Sequence, residues 1–211
     1  MSISETYLYK PPATVETSNF AKHTNPNPIQ RRLIDRFHEK ITRIVQAQHP
    51  QTVLDAGCGE GFTAEIFLRA MPTLSLTGFD PHEPSVELAR MRNPRAEFLI
   101  GDIYSIPFED KSFDVVCCFE VLEHLHDAPR ALGELARVAR HSVVMSVPHE
   151  PFFCLANAAR GKNLDVTPKG SDPDHRNFWS REAFGRFVQQ EMDVVTLTGS
   201  LPWTICVAKP R

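Results

Sequence analysis

The sequence predicts an α/β protein built on a mostly parallel sheet with helices on both faces. Three observations carry this. Short apolar runs alternate with stretches at helical spacing along most of the chain. Those runs, such as Val115-Val116-Cys117-Cys118-Phe119, are continuous rather than interrupted at every second residue. Strands covered on both faces have that character, whereas a half-solvated sheet alternates. Finally, a glycine-rich turn follows the first strand directly, where open α/β sheets place their ligands.

The elements follow in order. Residues 1–28 are polar, and Lys10-Pro11-Pro12 and Asn25-Pro26-Asn27-Pro28 are turn signals, so this stretch is expected to be an extended arm. Leu33, Ile34, Phe37, Ile41, Ile44 and Val45 recur at helical spacing, with Pro50 as the expected stop. Strands are expected at 52–56, 74–79, 96–100, 113–119, 142–147, 194–197 and 203–208. Helices are expected at 62–70, 85–92, 128–139 and 181–191, the last with Ser180 as its N-cap. Residues 150–174, with Gly161, Pro168, Gly170 and Pro173, read as a long loop, and long loops in compact domains are usually functional.

A chain of 211 residues, 42% hydrophobic and 23% charged, can bury one sizeable core. The formal net charge is -3 and there is no basic run, which argues against a nucleic-acid partner. No run of about 18 apolar residues suggests a membrane span, and the first residues lack the charged-then-apolar pattern of a secretory leader. The five cysteines show no CxxC spacing, and Cys117 and Cys118 would point to opposite faces of a strand. Reduced thiols and a cytoplasmic location are expected.

The first strand runs into Asp55-Ala56-Gly57-Cys58-Gly59-Glu60-Gly61. A dinucleotide fingerprint, G-x-G-x-x-G, would need glycine at 62, where Phe62 stands. Asp55 and Glu60 flank the loop, and a carboxylate there would repel a phosphate. A ligand with a cationic end fits better.

This loop resembles the first motif of class I S-adenosylmethionine-dependent methyltransferases, and the likeness continues in register from about residue 51 to about 148. It implies a Rossmann-like class I methyltransferase fold with a mostly parallel seven-stranded sheet flanked by helices. Residues 1–50 would form an N-terminal arm and helix acting as a cap, and 51–211 the S-adenosylmethionine-binding domain. Asp55, Gly57, Cys58 and Gly59 would line the cofactor. Gly78-Phe79-Asp80, with Pro81, occupies the position from which the family's acidic residue accepts from the ribose hydroxyls. Gly101-Asp102-Ile103 matches the segment that meets the adenine. Glu120-Val121-Leu122-Glu123-His124-Leu125 matches the segment that approaches the methionine part, with Glu120 facing the cofactor.

His124 is a candidate general base, since imidazole titrates in the range needed to take a proton from a hydroxyl. His149 and His175 lie in the loop-rich stretch and are candidate acceptor contacts, as is Trp179. Tyr7 and Tyr9 are candidates on the arm. Glu120, Glu123 and His124 also resemble the divalent-ion layout of small-RNA 3′-terminal ribose 2′-O-methyltransferases. The same run occurs in metal-free quinone-biosynthesis enzymes, and no tightly bound metal is expected. The resulting expectation is a methyltransferase for a small-molecule acceptor, a metabolite, sugar or quinone-like compound, with an oxygen as one candidate attacking atom. The alternatives are a metal-assisted RNA 2′-O-methyltransferase and a non-catalytic S-adenosylmethionine-binding protein. The acceptor pocket is expected to draw on the N-terminal arm and on residues 149–179.

Overall fold

The computed structural model describes residues 17–158, 161, 163, 165 and 171–211. Tyr7 and Tyr9 lie outside the described residues. The chain divides into two compact units, Met1–Asp102 and Ile103–Arg211.

The first unit contains α1 (Ser18–Thr24), α2 (Pro28–Gln46), β1 (Thr52–Ala56), α3 (Phe62–Ala70), β2 (Ser75–Asp80), α4 (Glu83–Arg92) and β3 (Glu97–Ile100). β1 and β2 run parallel, with Ala56 opposite Phe79. β2 and β3 also run parallel, with Asp80 opposite Ile100. Val53, Leu54, Leu76 and Phe79 are buried on these strands. Helix α2 starts on Asn27, whose side chain accepts from the amides of Ile29 and Gln30, and on Pro28 in its first turn. It buries Ile34, Phe37, Ile41 and Val45, the apolar stripe seen in the sequence.

The second unit contains β4 (Phe113–Phe119), a 3₁₀ turn (Leu122–His124), α5 (Ala128–Val138), β5 (Ala139–Pro148), α6 (Glu150–Ala158), α7 (Arg181–Val188), β6 (Met192–Ser200) and β7 (Trp203–Pro210). β4 and β5 are parallel, with Phe119 opposite Ser146. β7 is antiparallel to both β5 and β6. Val116, Cys117, Cys118, Val144, Met145 and Ile205 are fully buried, which is why this strand pair reads as unbroken apolar sequence. The seven strands order as β3-β2-β1-β4-β5-β7-β6, the expected mostly parallel sheet.

Three expectations are corrected. Residues 18–24 are helical, not extended: Thr17 caps α1 by accepting from the Phe20 amide, and Phe20 and His23 are buried. Helix α2 ends at Gln46, four residues before Pro50, its final carbonyls closed by the Ala47 amide. Part of the expected loop, Glu150–Ala158, is the helix α6. Pro151 stands in its first turn, where a missing N–H costs nothing. All five cysteines are free, four of them buried. Among the described residues no helix is long and apolar enough to cross a membrane.

Candidate functional site

The candidate residues fall into two groups, one in each unit.

In the first unit the chain leaves β1 through a turn that only glycine makes at low cost. Gly57, Gly59 and Gly61 have φ of 80°, 49° and 74°. The amides of Gly57 and Cys58 donate to the Phe79 carbonyl at 2.8 and 3.0 Å, which ties the loop to the end of β2. Asp80 completes the tie. Its Oδ2 accepts from the Gly59 amide at 3.0 Å and its Oδ1 from the His82 amide at 2.9 Å. Its burial pushes its pKa up despite those bonds. Pro81 beside it and Asp102, after β3, are exposed, while Ile103 is buried.

Asp55 is buried at the end of β1, and its Oδ2 takes no hydrogen bond among the described residues. Burial first, and the Asp80 charge second, push its pKa up to about 7. A buried carboxylate with one oxygen left unsatisfied suits a cationic ligand group, which would restore its ionisation. The loop thus fits a ligand carrying an ammonium. Cys58 is buried against the loop and its thiol is pushed far up by burial, so it is a packing residue rather than a nucleophile.

Glu60 departs from its reading as a charge facing the ligand. Its side chain is wholly buried and accepts from Thr17 Oγ1, from Asn19 Nδ2 at 2.5 Å and from Ser85 Oγ at 3.1 Å. Its partners lie 43, 41 and 25 residues away, so no local spacing reveals them.

In the second unit Glu120 follows directly on β4 and holds a left-handed φ of 58°. A non-glycine residue there is strained and persists because its surroundings fix it. The Glu120 amide donates to the Ser146 carbonyl at 3.1 Å, and Ser146 Oγ donates to Glu120 Oε1 at 2.9 Å.

The 3₁₀ turn then presents Glu123, buried, and His124, exposed. Residues 174–177 are stitched across it. The Arg176 and Asn177 amides both donate to the Glu123 carbonyl, at 2.7 and 3.0 Å. Asn177 Nδ2 donates to the carbonyls of Leu122 and Leu125 at 3.0 and 2.7 Å. This brings His175 to His124, ring centroids 5.0 Å apart and edge to face. Glu123, His124 and His175 each offer a ligand atom within 4.8 Å of the others, and Glu120 and His149 do not belong to that group. His124 Nδ1 lies 3.2 Å from the Asp174 carbonyl. Partial loss of water around its ring, then the neighbouring His175, lowers its pKa. His175 Nδ1 sits 2.7 Å from Glu150 Oε1 on α6.

His149 packs its ring on Phe152 at 5.0 Å. Trp179 packs on Phe184 and Phe187 of α7, at 5.5 and 5.1 Å. Glu150 and Asn177 were not legible in the sequence: neither stands in a motif, and both act across the chain.

Comparison with known proteins bears on both groups. A family model described as a methyltransferase domain matches residues 54–146. A probable S-adenosylmethionine-dependent methyltransferase of Mycobacterium tuberculosis is 40% identical over 136 residues, 63% of this chain and 47% of that relative. A demethylmenaquinone methyltransferase of Thermotoga maritima is 30% identical over 105 residues, 50% of this chain and 46% of the relative. The chain therefore spans about half the length of the curated relatives it matches. Among solved structures, the PH0226 protein of Pyrococcus horikoshii shares the fold, with a TM-score of 0.68 at 19% identity, over 91% of this chain and 96% of that one. Residues 54–146 are thus similar to a methyltransferase domain, and the glycine loop, the acidic residue ending β2 and the order of the seven strands agree with that likeness.

Proposed function

We propose that the chain transfers a methyl group from S-adenosylmethionine to a hydroxyl oxygen of a small-molecule acceptor, with His175 as the proton acceptor. When bound, the cofactor supplies an electrophilic methyl on a sulfonium. Asp55, Gly57, Cys58, Gly59, Asp80, Pro81 and Asp102 are the residues of the first unit that would hold the cofactor. Positioning and exclusion of water supply most of the acceleration in such a displacement. The acceptor hydroxyl must also lose its proton.

One observation carries the assignment of the base, namely the bond between His175 Nδ1 and Glu150 Oε1. A carboxylate that accepts from Nδ1 fixes the tautomer and leaves the Nε2 lone pair to take a proton. That bond favours His175 as general base over His124, whose ring lies alongside. The name of the Thermotoga relative supports including quinone-like compounds among the acceptors. Five free thiols suit a reducing compartment such as the cytoplasm. The test is a screen of hydroxylated quinones, sugars and other metabolites for S-adenosylhomocysteine release. Turnover with one class supports the reading. Binding of S-adenosylhomocysteine with no turnover on any class would favour the non-catalytic alternative.

The group of Glu123, His124 and His175 favours a second reading, a metal-assisted RNA 2′-O-methyltransferase. Both imidazoles have Nδ1 beside a carboxylate or carbonyl acceptor, as metal-bound histidines do. A ligated His175 could not also accept a proton, so the readings exclude each other. Near-stoichiometric Mg, Mn or Zn by elemental analysis, lost in Glu123→Ala, would select the second.

A further inference from the structure

We infer that Glu60 is a positioning residue of the cofactor loop: its carboxylate clasps helix α1 onto that loop and so fixes the conformation the ligand meets. The inference rests on the cofactor reading above for its ligand, but its geometry stands independently in the first unit.

An ionised carboxylate buried in a protein interior is costly unless hydrogen bonds replace its water. Glu60 has no exposed surface and three side-chain donors: Thr17, Asn19 and Ser85. Ser85 belongs to α4 and is itself 2.9 Å from His82 Nδ1. The Glu60 carbonyl accepts from Arg92 Nε at 3.1 Å, and Asn93 Nδ2 donates to the Gly61 carbonyl at 2.9 Å. The loop is therefore gripped on its main chain by Arg92 and Asn93, at the end of α4, and on its side chain from α1.

The α1 end of this grip cannot be loosened without changing α1 itself. The Thr17 hydroxyl that donates to Glu60 also accepts from the Phe20 amide at 3.0 Å, so one group caps the helix and clasps the loop. Asn19 presses on the loop backbone: a Cβ added at Gly59 would lie 3.0 Å from Asn19 Nδ2. Gly59 in turn donates to Asp80. A line of contacts thus runs from α1 through Asn19 and Gly59 to the carboxylate the family uses for ribose. The other end of α1 is pinned by His23, stacked on Phe62 at 4.2 Å, and Phe62 is the first residue of α3 after the loop. Glycines give a loop freedom as well as tight turning, and that freedom must be removed before a ligand can be held. The clasp removes it in advance.

The test uses the full chain with hydrogen exchange and calorimetry. In the ligand-free protein, Thr17→Val with Asn19→Ala should raise amide exchange both in residues 18–24 and in residues 57–61. The same double variant should weaken S-adenosylhomocysteine binding at least tenfold when measured well below its own thermal midpoint. Glu60→Gln, whose amide keeps only one acceptor oxygen, should fall between the double variant and the parent. Faster exchange confined to residues 18–24, or an affinity within twofold of the parent, would overturn the inference. If the parent chain itself bound no S-adenosylhomocysteine, the cofactor reading would fail. Exchange at residues 57–61 would then decide the clasp alone. The double variant leaves the buried carboxylate in place, so the test survives if Glu60 variants do not fold.

Discussion

His175 and Glu150 are joined by a 2.7 Å contact between Nδ1 and Oε1, with both side chains nearly sealed from solvent at 5% and 7% exposure. The pair lies between α6 and the segment that crosses the 3₁₀ turn. Its geometry is that of a carboxylate orienting an imidazole for proton transfer.

His175→Asn should therefore slow methyl transfer by about 10²-fold or more, the usual contribution of a positioned base. Cofactor affinity should change little. Glu150→Gln should slow transfer by less, because the amide oxygen still accepts from Nδ1. S-adenosylhomocysteine release by each variant, beside calorimetric binding, checks this. An unimpaired His175→Asn enzyme would return His124, or no base at all, to consideration.

The Asp55 carboxyl, raised to about 7, links cofactor binding to pH. A cationic ammonium favours the ionised form, so binding should expel a proton, about half an equivalent at pH 7. Affinity should fall by up to about tenfold per unit as pH drops below 7. The same shift acts on stability with the opposite requirement. A carboxyl whose pKa is raised by folding contributes stability below its unfolded value near 3.8 and loses it as pH rises towards 7. Without ligand the protein should lose stability across that window through this group. Calorimetry in buffers of differing ionisation enthalpy measures the proton directly, and Asp55→Asn should abolish the release.

His38 makes the acid limb of stability. It is buried on α2, its ring stacked 5.1 Å from that of His23, and burial pushes its pKa down to about 3. His23 is lowered as well, by burial first and then by His38. Both imidazoles are neutral in the fold but bind protons near 6.5 once unfolded. The contribution of this pair to stability is therefore complete above about 6.5 and declines as pH falls towards 3. Because Asp55 acts in the opposite sense across this window, the comparison is between variants: His38→Leu should lose less stability, by urea midpoint, than the parent on going from pH 7 to pH 5. An identical pH dependence in parent and His38→Leu would contradict the buried, neutral pair.

Asp80 holds two amides and is the residue from which ribose hydroxyls would be met. Asp80→Ala should weaken S-adenosylhomocysteine binding by about 1–3 kcal/mol, the cost of unmade hydrogen bonds. An unchanged dissociation constant would leave Asp80 only its structural bonds to Gly59 and His82.

The sequence made the sheet legible because its strands are buried on both faces, so that Val115 to Phe119 could hardly be anything else. The glycine loop was legible for a similar reason: few backbones demand glycine at 57, 59 and 61 together. Helix α1 was not, because seven residues cannot sustain a helix alone. It exists through the Thr17 cap and the burial of Phe20 and His23. Helix α6 was hidden by the turn residues after it and by Pro151 within it. Among the site residues, Glu120, Glu123 and His124 were found by adjacency. The pairing of Glu150 with His175 spans 25 residues, and that of Glu60 with Thr17 spans 43, and no spacing rule reaches across such gaps.

The central claim is that the glycine loop is built for S-adenosylmethionine and not for a dinucleotide. Calorimetric titration of the full chain with S-adenosylhomocysteine, beside NAD, tests it most directly. One-to-one binding of S-adenosylhomocysteine with no heat from NAD is the result expected. Binding of NAD with none of S-adenosylhomocysteine would contradict it.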